Sequence, residues 1–137
     1  MTTPQLVRDA MVTAPFSLAA TATAREAAEA LSRDAVRAVL VCEDGALTGV
    51  ITRKTLVREV VAAGRDPQTT AVGSIAEPPN FTISSDLPLD EGFAFLEEQD
   101  LERVPVVDHG RLVGVLSRAV VQRWLAEDEP PLEADPV

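Results

Sequence analysis

The stretch Leu47-Thr48-Gly49-Val50-Ile51-Thr52-Arg53 occurs a second time, 65 residues later, as Leu112-Val113-Gly114-Val115-Leu116-Ser117-Arg118. Each copy has the pattern of a short buried strand that runs directly into a helix. The glycine allows close backbone approach, and the Thr or Ser is a preferred helix N-cap. The free amide groups of a capped helix start predict an anion site, beside Arg53, Lys54 and Arg118. The alternative is that these cations are ordinary solvated residues, which need no partner.

The 65-residue offset extends through most of the chain. Residues of the same type at this offset are Val7 and Val72, Phe16 and Phe81, Glu26 and Glu91, and Leu31 and Leu96. Each half predicts the element order β-α-β-β-α, and one half is too small to cover both faces of its own sheet. We therefore predict an α+β fold of two such repeats, packed about a pseudo-two-fold axis. The predicted ranges are 1–66 for the first repeat, 67–126 for the second and 127–137 for an acidic, disordered tail.

Local signals place the element boundaries. Thr23 and Glu26 have the spacing of a capping box, and Gly64 is suited to end the helix that begins at Arg53. Glu43-Asp44-Gly45 and Asp108-His109-Gly110-Arg111 are typical of tight hairpin turns. These signals predict two hairpins, each followed by a helix.

Composition excludes several classes of protein. The formal net charge of −10 argues against nucleic-acid binding, and no apolar run approaches the ~20 residues that cross a bilayer. The amino-terminal sequence lacks the blocks of a signal peptide, so we expect a cytoplasmic protein. The single cysteine, Cys42, fits a reducing compartment, and we interpret it as a strand residue rather than a nucleophile.

No catalytic or metal site is predicted. His109, the only histidine, lies in a predicted turn without a nucleophile nearby in sequence. One histidine and one cysteine do not make a common zinc site, and the Glu97-Glu98 pair is a charge run rather than two carboxylates across a cleft. We expect a protein that is not an enzyme and has no resident cofactor.

With these residues in view, the chain resembles a tandem pair of cystathionine β-synthase (CBS) domains, a Bateman module. The resemblance covers about Val7 to Ala126 and is strongest over Arg103-Val104-Pro105-Val106-Val107-Asp108 and the repeated glycine stretch. It implies β-α-β-β-α units paired through their sheets. It also implies a regulatory module that binds AMP, ATP or a related adenosyl ligand in the clefts and signals to a partner protein.

The family's ligand motif runs glycine, two apolar residues, Thr or Ser, two variable residues and Asp. In this chain Thr55 and Val120 stand where that motif has the ribose-binding Asp, so the first cleft is the better candidate. The resemblance places Arg37 and Phe81 in the first cleft, and Arg103 and Phe16 in the second, with plain core packing as the alternative for both phenylalanines. The predicted ligand-binding residues are Thr52, Arg53, Lys54, Thr55, Arg37, Phe81, Ser117, Arg118, Arg103 and Phe16.

Assembly is predicted from two broad apolar helix faces. The helices over 53–63 and 118–126 carry more apolar residues than one sheet contact requires. A second chain could cover the surplus, with Trp124 as an anchor, which predicts a homodimer through these helices. Packing within one chain is the alternative. Two functions therefore stay open: a nucleotide-binding regulatory module with an unidentified effector protein, and a ligand-free dimerisation or docking module with degenerate clefts.

Overall fold

The computed structural model describes residues 5–13 and 15–128, with side chains up to residue 126. The chain forms two compact units. The first unit contains Phe16–Asn80 and Gly110–Leu112, and the second contains Met1–Pro15, Phe81–His109 and Val113–Val137.

The first unit is a three-stranded sheet with helices. Strands β2 (Ser17–Ala19) and β3 (Val39–Glu43) pair in parallel, and β4 (Ala46–Ile51) pairs antiparallel with β3. Helix α2 (Ala24–Leu31) and helix α3 (Arg53–Leu56) pack with α4 (Val72–Ile75) around this sheet. The core consists of Ala24, Ala27, Leu31, Val39, Val41, Ile51, Val60, Val72 and Ile75.

The second unit repeats this arrangement. Strand β5 (Ile83–Ser84) pairs in parallel with β6 (Arg103–Asp108), and β6 neighbours β7 (Arg111–Ser117). The short β1 (Val12–Thr13) pairs antiparallel with β7. Helices α1 (Val7–Ala10), α5 (Leu89–Glu98) and α6 (Arg118–Asp128) complete the unit. Its core consists of Val7, Ala10, Ile83, Leu89, Leu96, Val104, Val106, Leu116 and Val121.

Each repeat's leading segment belongs to the unit built from the other repeat. Residues up to Pro15 lie in the second unit, whereas α4 lies in the first. The two repeated glycines accommodate these segments. A Cβ on Gly49 would lie 2.6 Å from the Ala76 Cβ, and a Cβ on Gly114 would lie 2.6 Å from the Met11 Sδ. The close backbone approach expected at both glycines is therefore confirmed, and its partner in each case is the leading segment.

The predicted hairpin turns are present. Asp44 and Gly45 have φ of 54° and 83°, and His109 and Gly110 have 53° and 82°, as a two-residue turn of this type requires. Leu47 N–H donates to the Gly110 carbonyl at 3.2 Å, and Leu112 N–H donates to the Gly45 carbonyl at 3.1 Å. Leu47 corresponds to Leu112 and Gly45 to Gly110 at the 65-residue offset. The two hydrogen bonds are therefore equivalent in the two repeats.

The helix predicted from Arg53 to Gly64 is present, but it is not α-helical throughout. Only Arg53–Leu56 is α-helical, and Val57–Val61 forms a π-helical turn. Ala62 N–H donates to the Val57 carbonyl at 2.8 Å, a step of five residues rather than four. Gly64 then ends the helix with φ of 72°, as predicted. The turn leaves Val57 and Val61 59% and 73% exposed.

The helix after β7 is regular and turns its apolar residues inward. Val121 is fully buried, while Trp124 and Leu125 are partly buried against the core of the second unit. Core packing, the alternative to an interface role, therefore accounts for Val121, while the interface role of Trp124 and Leu125 stays a prediction. The helix continues through Asp128, two residues into the predicted tail, and residues 129–137 lie outside the described part of the chain. The α+β class with two β-α-β-β-α repeats is confirmed.

Candidate functional site

One edge of the first unit's sheet gathers the predicted site positions of the first repeat. The register pairs Ser17 with Leu40 and Val39 with Ile51. The start of β2, the start of β3 and the end of β4 therefore share one edge of the sheet. Phe16, Arg37 and Thr52 each lie within two residues of that edge, and Lys54 follows in the first turn of α3.

Thr52 is the N-cap of α3, as predicted. Thr55 N–H donates to Thr52 Oγ1 at 3.3 Å, and Thr52 N–H donates to Thr55 Oγ1 at 3.1 Å. The two hydroxyl oxygens are 3.0 Å apart and share a further hydrogen bond. This capping box leaves Thr55 fully buried, so its hydroxyl serves the helix start. Its predicted role as a ribose contact stays a prediction, and in this conformation Thr55 acts on the edge only through Thr52.

The other side chains at this edge are exposed. Phe16 is 58% exposed, so the alternative of plain core packing does not describe it. Arg37 and Lys54 are exposed and take part in no salt bridge within the described residues. Arg53 is also exposed, but its Nη2 donates to the Arg33 carbonyl at 2.9 Å, at the end of α2. The edge therefore presents one aromatic ring, one capped helix start and, besides Arg53, two cations.

The equivalent edge of the second unit holds Ser117, which lies next to the start of α6. Val120 N–H reaches Ser117 Oγ only at 3.5 Å. Arg118 Nε and Nη2 donate to the Leu101 carbonyl at 3.2 and 2.9 Å, and Nη2 also reaches the Leu96 carbonyl at 3.4 Å. The Arg118 side chain is only 22% exposed. The Leu96 carbonyl lies in the last turn of α5 and Leu101 follows the helix, so the arginine lies near the carbonyl end of α5, where cations interact favourably with the helix dipole.

Phe81 and Arg103 also lie in the second unit, whereas Phe16 and Arg37 lie in the first. The grouping that the resemblance implies, Phe81 with Arg37 and Phe16 with Arg103, joins residues of different units and stays a prediction. Phe81 is partly buried and packs edge-on against Phe95, with ring centroids 5.5 Å apart and an interplanar angle of 74°. Arg103 is exposed at the first position of β6. By the repeat offset, Arg103 corresponds to Ala38, and Arg37 corresponds to Glu102. The two arginines are therefore not equivalents, although both begin or precede a long strand.

The two units differ in charge, which the sequence analysis missed. The first unit has eight basic and eight acidic residues, for a formal net charge of zero. In the second unit, residues up to 126 include four basic and nine acidic residues, for a net charge of −5. The charge difference is visible in the sequence when the repeats are aligned by their offset. Arg25, Arg33 and Arg37 of the first repeat then correspond to Asp90, Glu98 and Glu102 of the second.

Metal-ligating groups do not cluster in the part of the chain that the structure describes. His109 is 91% exposed in the turn after β6, beside Asp108, with 2.8 Å between Nδ1 and Oδ1. Cys42 is partly buried in β3, as the strand interpretation expects.

A protein-family model of the CBS domain matches this chain twice, over residues 7–62 and 72–127. The chain belongs to the CBS-domain family. The two matches coincide with the two repeats, so the predicted Bateman module is confirmed. Proteins of this family are regulatory modules.

Similar proteins include bacterial members of similar length. Hypoxic response protein 1 of Mycobacterium tuberculosis is 31% identical over 102 residues, which cover 74% of this chain and 71% of that protein. The CBS domain-containing protein YhcV of Bacillus subtilis is 28% identical over 111 residues, covering 81% and 79%.

Solved structures share the fold. A crystal structure of Hypoxic Response Protein I with two coordinated zinc ions superposes with a TM-score of 0.72 at 28% identity, covering 88% of this chain and 98% of that one. CBSX2 in complex with AMP superposes with a TM-score of 0.70 at 23% identity, covering 89% and 96%. The second comparison shows the fold alone.

Within the described residues, no helix combines the length and the apolar content that crossing a membrane requires.

Proposed function

We propose that this CBS-domain pair is a regulatory module, not itself an enzyme, which binds an adenosine-containing ligand such as AMP or ATP and signals to a partner protein. The binding residues we assign lie at the edge of the first unit: Thr52, Lys54, Arg37 and Phe16. Lys54 and Arg37 supply charge for a phosphate, and Phe16 supplies a ring face on which a base stacks.

One observation carries the proposal. The exposed Phe16 ring, the exposed Lys54 and Arg37 side chains and the capped start of α3 occur together at one edge of the neutral unit. Exposing a large aromatic ring has no benefit for folding, whereas a ligand that covers it would remove apolar surface from water. That a CBS protein, CBSX2, forms a complex with AMP supports the choice of ligand class.

We expect weak binding. The family's ribose-binding Asp is replaced by Thr55, whose hydroxyl is buried in the capping box. Losing hydrogen bonds to a charged acceptor costs about 1.5–3 kcal/mol, or about ten- to a hundredfold in affinity. A ligand that favours one conformation of the module still shifts its population, since only the difference in affinity between conformations matters.

Thermal-shift measurements with AMP, ATP, S-adenosylmethionine and NADH at millimolar concentrations test the proposal. A ligand at ten times its Kd stabilises the native state by about 1.4 kcal/mol. We expect a higher Tm with at least one compound, and loss of that shift in the Lys54→Ala variant. No shift with any of the four, or an unchanged shift in Lys54→Ala, contradicts the assignment.

The chain offers matched controls for this test. Arg103→Ala removes an exposed cation at the corresponding edge of the second unit, and we expect it to keep the ligand shift. Thr52→Ser keeps a capping hydroxyl and should also keep it. Thr52→Val is a poor test by itself, because it breaks the capping box and lowers stability without any ligand.

A second candidate function is a ligand-free dimerisation or docking module. The burial of Thr55 and its hydrogen bonds to Thr52 favour it, since a group that serves the helix start cannot also serve a ribose. In that case the four compounds leave the Tm unchanged while self-association persists. For either function we propose a homodimer through the helices over 53–63 and 118–126, together with an unidentified effector protein.

A further inference from the structure

The leading segment of the first repeat is attached to the second unit at two places. At its start, backbone hydrogen bonds of 2.8–3.1 Å join residues 5–8 to residues 85–89. At its end, β1 pairs with β7 through Val12 and Thr13. We call these two places the α1 end and the β1 end. Met11 lies between them, directly before β1.

The two ends are anchored by different side chains. At the α1 end, Val7 is fully buried and Ala10 is 4% exposed. At the β1 end, Val12 is 50% exposed and Thr13 is exposed as well. Among the described residues of this end, Met11 is the one that packs against the core of the second unit. The apolar contact of the β1 end therefore depends on a single thioether.

The Met11 sulfur lies against Gly114 of β7. A Cβ on Gly114 would lie 2.6 Å from the Met11 Sδ and 2.8 Å from the Val12 carbonyl oxygen. The polar atom nearest to this position is therefore an acceptor, which has no hydrogen to donate to another oxygen. Met11 is only partly buried, so a small oxidant has access to it. An oxygen added to the sulfur would enter a tight contact without gaining a donor, and that costs free energy.

The first unit holds the leading segment of the second repeat without sulfur at this position. At the 65-residue offset, Met11 corresponds to Ala76. The next residue, Glu77, exchanges two backbone hydrogen bonds with Val50, of 2.8 and 3.0 Å, and its carboxylate pairs with Arg58. An attachment of this kind contains no group that a mild oxidant modifies. The two units therefore differ in how oxidation would affect them.

We propose that Met11 is a modification site for oxidants of the peroxide class, and that its oxidation detaches β1 from β7 while α1 stays in place. The sulfur lone pair attacks one peroxide oxygen, so the S–O bond forms as the O–O bond breaks. The attacked oxygen gives its proton to the departing hydroxide, which leaves as water. The sulfur loses two electrons, and a polar sulfoxide replaces the apolar thioether. This inference goes beyond the proposed function and is independent of its ligand.

Treatment of the full-length chain with hydrogen peroxide tests the site. Peptide mass spectrometry locates the added oxygen, and amide hydrogen exchange measured by NMR reports on each end. After oxidation we expect exchange at 12–13 and 114–115 to accelerate at least about fivefold, because local opening becomes easier. Exchange at 7–8, and at Val50 and Glu77 in the first unit, should change much less. Methionine sulfoxide reductases should restore the original rates, since this oxidation is reversible.

Two variants serve as matched controls. Met11→Leu nearly keeps the side-chain volume and has no sulfur, so we expect exchange close to that of the wild type and no response to peroxide. Met1 and Cys42 remain in this variant, so a response that persists would come from a residue other than Met11. Met11→Gln places a polar group at the same position without any oxidant. We expect it to reproduce the exchange pattern of the oxidised chain.

Three results overturn the inference. A Met11 that stays unmodified under peroxide that oxidises free methionine would show that the oxidant does not reach the sulfur. A sulfoxide at Met11 with unchanged exchange at 12–13 and 114–115 would show that β1 does not depend on the thioether. Equal acceleration at Val50 and Glu77 would indicate general unfolding rather than release of β1. Each of these results leaves ligand binding to its own thermal-shift test.

Discussion

The helices that follow the two glycine stretches begin alike and then differ. Before α3, Thr52 and Thr55 form a complete capping box, whereas before α6 the Ser117 hydroxyl only reaches Val120 N–H at 3.5 Å. Arg53 makes one hydrogen bond to a carbonyl, and Arg118 makes three. The apolar residues of α6 pack inward, while the π turn after α3 leaves two valines exposed.

The two repeats therefore share a backbone arrangement, but the side chains at corresponding positions have different roles. The second unit uses its motif arginine to stabilise a helix end. The first unit leaves its cations and an aromatic ring at the surface, where they are available to ligands and partners. Substitutions in one copy and in the other therefore have different expected effects.

The largest effect is expected at the repeated glycines. A Cβ on Gly114 would lie 2.8 Å from the Val12 carbonyl oxygen, and one on Gly49 would lie 3.3 Å from the Glu77 oxygen. Overpacking of this kind costs about 1–3 kcal/mol. We expect both alanine variants to lose stability in urea unfolding, with Gly114→Ala losing more. Thr48→Ala, beside Gly49, is the control, and an unaffected Gly114→Ala would show that the leading segment does not press on β7.

An effect of comparable size is expected from the contrast between the motif arginines. Hydrogen bonds from charged groups contribute about 1.5–3 kcal/mol, and Arg118 is largely buried with three of them. We expect Arg118→Ala to lower the free energy of unfolding by that amount and Arg53→Ala by less than about 1 kcal/mol. Arg118→Lys should recover only part, because an ammonium lacks the fork of donors. Equal losses in the two alanine variants would contradict the contrast.

The capping boxes should differ by a smaller amount. Losing an N-cap costs about 0.5–2 kcal/mol, so we expect Thr52→Val to destabilise the chain more than Ser117→Ala, whose hydrogen bond is long. In a double-mutant cycle, Thr52→Val and Thr55→Val together should lower the free energy of unfolding by less than the sum of the two single changes. Either change alone already breaks the same capping box. Additive losses would mean that the two hydroxyls act independently.

The smallest effect is expected at the exposed ion pairs. Arg8 pairs with Asp86 in the second unit, and Arg58 pairs with Glu77 in the first. Exposed pairs contribute about 0–1 kcal/mol and are screened by salt. We expect Arg8→Ala and Arg58→Ala to lower the Tm slightly and to a similar degree at low salt, with a smaller change in high salt. A large loss in either variant would reveal a structural role beyond charge pairing.

Local chemistry made most of the fold predictable. The capping box at Thr23, the turns at Gly45 and Gly110 and the helix end at Gly64 depend on residues close in sequence, and all four are present. The assignment of the leading segments was not predictable in this way. It depends on contacts such as that between Met11 and Gly114, which join residues about a hundred positions apart.

The candidate site was less predictable for the same reason. The sequence indicates a hydroxyl at 52 and cations at 53, 54 and 118, but not which of them tertiary contacts engage. Arg118 meets the end of α5 and Thr55 meets Thr52 only once the elements pack. The π turn over Val57–Val61, which carries the two exposed valines, likewise has no clear sequence signal.

An amide NMR titration of the full chain with AMP tests most directly the claim that the first unit alone carries the ligand edge. We predict chemical-shift changes at residues 16–17, 37–39 and 52–55 and little change at 102–104 and 117–120. In the Lys54→Ala variant, the changes at the first three ranges should be lost. Changes centred on 117–120, or of equal size at both edges, would contradict it.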